Sequence, residues 1–143
     1  MTLHASCVIW QGMGVLLRGP SGIGKSDLAL RLIEGGAVLV ADDRVLLERE
    51  GDRLLASPPE ILAGLLEVRG LGIFKLPHRE KAPISLLVEL VPLAEMERLP
   101  ETVAEQILGI SVPLRRLCAF EPSAPAKVRL AMQHAAGLIM SAP

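Results

Sequence analysis

Aromatic residues are scarce in this chain of 143 residues: they make up 2%, as Trp10, Phe74 and Phe120, with no tyrosine at all. The core must therefore be aliphatic. A surface of stacked aromatics for single-stranded nucleic acid is excluded as well. Charge of one sign is also missing, since 15 Lys and Arg face 16 Asp and Glu for a formal net charge of −1. That balance leaves no basic footprint for DNA or RNA.

No apolar stretch approaches the ~20 residues that a membrane-spanning helix needs. The opening residues Met1, Thr2, Leu3 and His4 carry no basic segment leading into an apolar one, so no signal peptide is read. There are two cysteines, Cys7 and Cys118, far apart in sequence. Without an export signal, two buried, reduced thiols are expected rather than a disulfide. A soluble, cytoplasmic protein follows as the expectation, with no nucleic-acid and no membrane partner.

What is present suits a packed fold. Half the residues are hydrophobic and 22% are charged, and the length matches one domain with one core. No internal repeat, low-complexity tract or charge block interrupts it. Residues 3–9 read as an apolar strand, 11–14 as a turn and 15–18 as a second strand, forming a hairpin. Residues 25–34 are helical, with Leu28, Ala29, Leu32 and Ile33 on one face and Gly35, Gly36 as the stop. Residues 37–41 form a continuous apolar run, expected for a strand buried on both faces. Segments 45–48 and 53–56 read as a hairpin around Glu50, Gly51 and Asp52. Residues 84–91 read as a further strand, and residues 126–140 as a C-terminal helix. The sum is a mixed α/β domain with more strand than helix.

The strongest chemical signal is Gly19, Pro20, Ser21, Gly22, Ile23, Gly24, Lys25 and Ser26, which fits G-x-x-x-x-G-K-[ST] between a predicted strand and a predicted helix. Glycines let successive N–H groups turn inward as an anion nest, and the helix N-terminus adds its positive dipole end. In such a P-loop Lys25 reaches the terminal phosphates and the Ser26 hydroxyl binds Mg²⁺. A glycine-rich turn without a ligand is the weaker alternative, given eight matching residues in the required setting.

Phosphoryl chemistry also needs acids. Asp42 and Asp43 follow the buried run 38–41, which places them at a strand's carboxyl end, where ligands bind in open α/β sheets. One carboxylate there can hold a metal while the other acts as base toward an incoming hydroxyl. A third cluster, Glu67, Val68, Arg69, Gly70, Leu71, Gly72 and Ile73, suits a chain passing close to a ligand, with Glu67 as an oxygen donor to Mg²⁺. By itself it fits an exposed loop with a weak ion pair equally well. Taken alone, His4, His78 and His134 read as structural or solvated.

Together these residues resemble a family, the C-terminal catalytic domain of HPr kinase/phosphorylase, which phosphorylates a seryl hydroxyl on the phosphocarrier protein HPr. The resemblance runs over the whole chain and rests on four elements in order: His4 with Gly12, Met13 and Gly14; the P-loop; Val40, Ala41, Asp42 and Asp43; and the 67–73 cluster. It implies a P-loop-containing mixed sheet of the HPr kinase catalytic-domain type, with a helix after the P-loop and a C-terminal helix. It also implies ATP and Mg²⁺ as cofactors, HPr as protein substrate and a homo-oligomer of hexameric type.

Carried over residue by residue, the resemblance gives Lys25 and the loop amides the ATP phosphates, and Ser26 with Glu67 the metal. It makes one aspartate of the pair the base, with Asp43 favoured, and sets His4 beside that pair. Arg98 falls near the position of a catalytic arginine in the family. Three departures stand out. No room precedes His4 for the family's N-terminal domain, so a single domain over 1–143 is expected, similar to the truncated alphaproteobacterial type. Segment 74–83 is shorter than the family's HPr-contacting loop. The family's Pro-Val-Arg-Pro-Gly-Arg stretch is replaced around 119–123, which predicts a kinase with weak or absent phosphorylase activity. A P-loop kinase of a small molecule and a silent nucleotide sensor are the alternatives.

Overall fold

In a computed structural model, which describes residues 1–142, the N-terminal apolar run forms not one strand but two. These are β1 (Thr2–Leu3) and β2 (Ala5–Trp10), with His4 as the break. The chain then runs through β3 (Met13–Arg18), α1 (Lys25–Glu34), β4 (Val38–Ala41), β5 (Val45–Glu50), β6 (Arg53–Ser57), β7 (Leu65–Val68) and β8 (Gly72–Lys75). It ends with β9 (Ala82–Leu90), β10 (Val103–Ile107), β11 (Ile110–Leu117) and α2 (Ala124–Ala135). The interruption at His4 has a topological cause: β1 pairs antiparallel with β5, whereas β2 pairs with β3 and β4.

The β2–β3 hairpin turns on two residues only, Gln11 at φ 52 and Gly12 at φ 76, with Trp10 opposite Met13. Two positive φ values make the tight, primed type of turn that matches strand twist, so β3 begins two residues earlier than the sequence suggests. One sheet runs β4–β2–β3–β9–β11–β10, with β3, β9 and β11 parallel to one another. The start of β9 also pairs with β6, through Pro83 and Ala82, which joins β6, β5 and β1 to the same strand. The carboxyl ends of the three parallel strands therefore share one edge, and the P-loop leaves from it.

Period-2 alternation sends β3 and β9 side chains to opposite faces. Val15, Leu17, Leu86 and Val88 pack under the helices with Leu28, Leu32, Val128 and Met132. Leu16 and Leu87 face the other way, onto Val40, Val45, Leu47 and Leu54. Both cores are aliphatic. Cys7 and Cys118 are buried and free, and burial pushes the Cys7 thiol well above its ordinary range.

Three elements depart from the sequence-based expectation. The 67–73 cluster is a β7–β8 hairpin rather than a loop. Residues 103–117 form a β10–β11 hairpin through Leu108 and Gly109, with Pro113 inside β11. Proline is tolerated there because β9 pairs with β11 only from Leu114 onward. The last helix starts at Ala124, since Pro125 is accepted in a first turn. It stops at Ala135 rather than 140, because Gly137 turns left-handed at φ 75 and Leu138 N–H bonds back to the Gln133 carbonyl.

Candidate active site

The P-loop starts from a fixed point. Arg18, the last residue of β3, forks onto two carboxylates: Nε and Nη2 donate to Glu89 at 3.2 and 3.1 Å, and Nη1 and Nη2 donate to Glu105 at 2.6 and 2.8 Å. Paired donors of this kind fix direction as well as distance. The Arg18 hydrogen bonds hold the Glu105 carboxyl below its usual range, and the same bond to Glu105 drives the Arg18 guanidinium still higher. Across three strands this clamp sets the edge from which Gly19 departs.

Beyond it the loop closes on itself. Lys25 Nζ donates to the carbonyls of Gly19 at 2.6 Å and Pro20 at 3.1 Å, so its charge rests on backbone oxygens rather than on any carboxylate. Gly24 caps α1 at φ 104. A Cβ there would meet Ala119 Cβ at 2.8 Å and two Phe120 ring carbons at 3.1 and 3.2 Å. Glycine is required at this position on both counts.

The acid pair divides. Asp42 is buried, and its carboxylate collects three hydrogen bonds: from Ser26 Oγ at 2.8 Å, from Ser6 Oγ at 2.7 Å and from the Glu67 backbone N–H at 3.2 Å. No cation pairs with it among the described residues. Asp43 is exposed and left-handed at φ 69, on a turn where Arg44 N–H bonds to the Asp42 carbonyl. Asp accepts that conformation more readily than most residues.

Of the residues picked from sequence, Ser26, Asp42 and Glu67 therefore converge, but Glu67 arrives through its backbone while its side chain is exposed. His4 is exposed and lines a cleft of about 700 Å³ with Arg18, Gly19, Pro20 and Glu89. It is Ser6, two residues on, that reaches the acid pair from β2. Arg98 lies in a separate cavity of about 810 Å³ between β11, α2 and the segment before β10. Sequence reasoning missed Ser6, whose one signal was a lone hydroxyl inside an apolar run; the structure buries it fully.

The donor set fits Mg²⁺: a P-loop hydroxyl and a buried carboxylate lacking a cation, with the exposed Glu67 on the adjoining hairpin. Among the described residues no three His, Cys, Asp or Glu side chains form a metal cage. This agrees with the habit of Mg²⁺ of taking one or two carboxylates and completing its shell with phosphates and water.

The model of the HPr Serine kinase C-terminal domain matches residues 1–122. The chain belongs to this family. Among curated relatives, the HPr kinase/phosphorylase of Chlorobium phaeobacteroides is 41% identical over 126 residues, covering 80% of this chain and 37% of its own length. That of Burkholderia lata is 43% identical over 122 residues, covering 78% of this chain and 38% of its own. The chain thus spans a little over a third of these relatives. The solved Hpr(Ser) kinase/phosphatase of Coxiella burnetii superposes with a TM-score of 0.85 at 30% identity, over 96% of this chain and 98% of that one. The HPr kinase fold accounts for the mixed, strand-rich sheet and the helix after the P-loop. Among the described residues no helix is long and apolar enough to cross a membrane.

Proposed function

We propose that the chain is an ATP- and Mg²⁺-dependent serine kinase whose substrate is an HPr-type phosphocarrier protein. The observation that carries this reading is the convergence on Asp42. The P-loop hydroxyl of Ser26 and the hairpin bearing Glu67 meet at one buried carboxylate that has no cationic partner among the described residues. Membership of the HPr kinase family supports an HPr-type acceptor. An ion held by Ser26, Asp42 and Glu67 would neutralise charge on the phosphates.

The chain's own residues do the rest. The loop amides and the α1 N-terminus bind the phosphate oxygens. Lys25 exchanges its carbonyl contacts for the terminal phosphates, where its charge matters most as negative charge shifts in the transition state. Asp42 is committed to three donors, whereas Asp43 is exposed beside it and free to take the seryl proton. As that proton moves to Asp43, the seryl oxygen bonds to the γ-phosphorus and the bond to the ADP oxygen breaks. Catalysis is then positioning and charge neutralisation.

The test is incubation with Mg·ATP and the HPr-type carrier of the same organism, read by mass spectrometry for a single phosphoserine. A carrier left unmodified by a protein that binds ATP would overturn the assignment.

A further inference from the structure

We propose that Phe120 is the platform on which the purine base of the nucleotide stacks. This rests on the reading of the P-loop as an ATP site. Phe120 is 63% exposed, in a chain with three aromatic residues and an aliphatic core. Its ring belongs to no core cluster and lies against the last glycine of the phosphate loop, 3.1 Å from the point a Gly24 Cβ would occupy.

The topology puts it there. β11 is parallel to β9 and β9 to β3, so the turn after β11 emerges at the same edge as the P-loop, the edge that holds ligands in α/β sheets. The turn is also held from both sides. Arg31, on α1, donates through Nη1 to the Glu121 carbonyl at 3.2 Å and through Nη2 to the Ala119 carbonyl. Lys127 pairs with the Glu121 carboxylate at 2.9 Å. Ala119 is fully buried while its neighbour Phe120 stands out. An exposed aromatic between two anchored residues is a pre-set surface, and little ordering remains to be done when a ring lands on it.

The direction of the nucleotide follows from the other end. With Lys25, Ser26 and Asp42 proposed for the terminal phosphates, the 119–121 turn packed against Gly24 is the adjoining surface open to the base. Trp10 sits at the opposite end of β2–β3, and Phe74 lies on β8, in the hairpin beside Asp42. Phe120 alone among the three offers a π-face where the base arrives. A flat hydrocarbon face accepts any base, because every base has a π-face.

The experiment is calorimetric titration of wild type, Phe120→Ala and Phe120→Trp with Mg·ATP and with Mg·tripolyphosphate, which keeps the phosphates and lacks the base. Phe120→Ala is expected to weaken ATP about tenfold or more while tripolyphosphate affinity stays unchanged, and Phe120→Trp is expected to keep ATP affinity. Equal ATP affinity in wild type and Phe120→Ala would overturn the proposal and leave the ATP reading standing. So would a parallel loss of ATP and tripolyphosphate, which would mark damage to the loop. A wild type that binds tripolyphosphate but not ATP would overturn both.

Discussion

Ser26 Oγ donates a 2.8 Å hydrogen bond to Asp42 Oδ1, joining the first turn of α1 to the residue that follows β4. The same oxygen accepts from Ser6 Oγ at 2.7 Å. One carboxylate therefore ties the phosphate loop to β2, and its other oxygen holds the β7–β8 hairpin. The consequences are separable by substitution.

Lys25→Ala removes the cation proposed to reach the terminal phosphates. Transfer to the carrier should fall ~10²–10³-fold or more, the cost of deleting a preorganised charge-stabilising donor. Thermal unfolding should change little, because the ammonium bonds only to loop carbonyls at the surface. Phosphoserine formation and a melting curve on the same sample check both halves, and near-normal turnover would sink the assignment.

The two aspartates should fail in different ways. Asp42→Asn keeps one acceptor oxygen, turns an amide donor toward donors the carboxylate now satisfies and removes the buried negative charge, so Mg·ATP affinity should drop together with some stability. Asp43→Asn should bind Mg·ATP normally and lose ~10²–10⁴-fold in turnover, the usual contribution of a positioned base. Calorimetry beside single-turnover kinetics separates the two, and normal turnover by Asp43→Asn would reassign the base.

Gly24→Ala should both destabilise the protein and weaken nucleotide binding. The residue sits at φ 104, and an added Cβ would press on Ala119 at 2.8 Å. A loss of about 1–2 kcal/mol in denaturant unfolding is expected, from the left-handed backbone alone. A variant as stable as wild type would contradict the left-handed backbone at Gly24.

Glu105→Gln probes the clamp under the P-loop. The Glu105 carboxyl is held below its ordinary range chiefly by the Arg18 hydrogen bond. A lowered folded-state value means that the contribution is fully present above the unfolded carboxylate pKa of about 4.3 and is lost as pH falls through the folded value. The variant should therefore melt roughly 2–4 °C lower at pH 7, as befits a half-exposed pair. The gap should close on acidification, and a gap that widened in acid would contradict the clamp.

Where one physical signal dominated, the sequence was readable residue by residue. α1 spans Lys25–Glu34 as its periodicity and the Gly35, Gly36 stop indicate, and β4 is buried from Leu39 to Ala41, with Val38 partly so, much as an unbroken apolar run should be. Legibility failed where that signal was weak. Every residue of β8 is exposed, so no alternation marks it, and only the β7–β8 ladder makes it a strand. Proline is disfavoured inside a strand, and the tolerance of Pro113 in β11 depends on the strand order, which is a long-range property. The direction in which Ser6 points followed from the split at His4, and that split arises because β1 finds β5, more than forty residues away.

Trp10 closes the β2–β3 hairpin, half-buried against the helix-side core. The phosphate loop leaves from the other end of β3, a strand of six residues that spans roughly 20 Å. The chain's single tryptophan therefore emits from the end of the sheet opposite the chemistry. Its fluorescence will follow whether the sheet is assembled and stay silent when nucleotide arrives, so unfolding can be read from it with no contribution from binding.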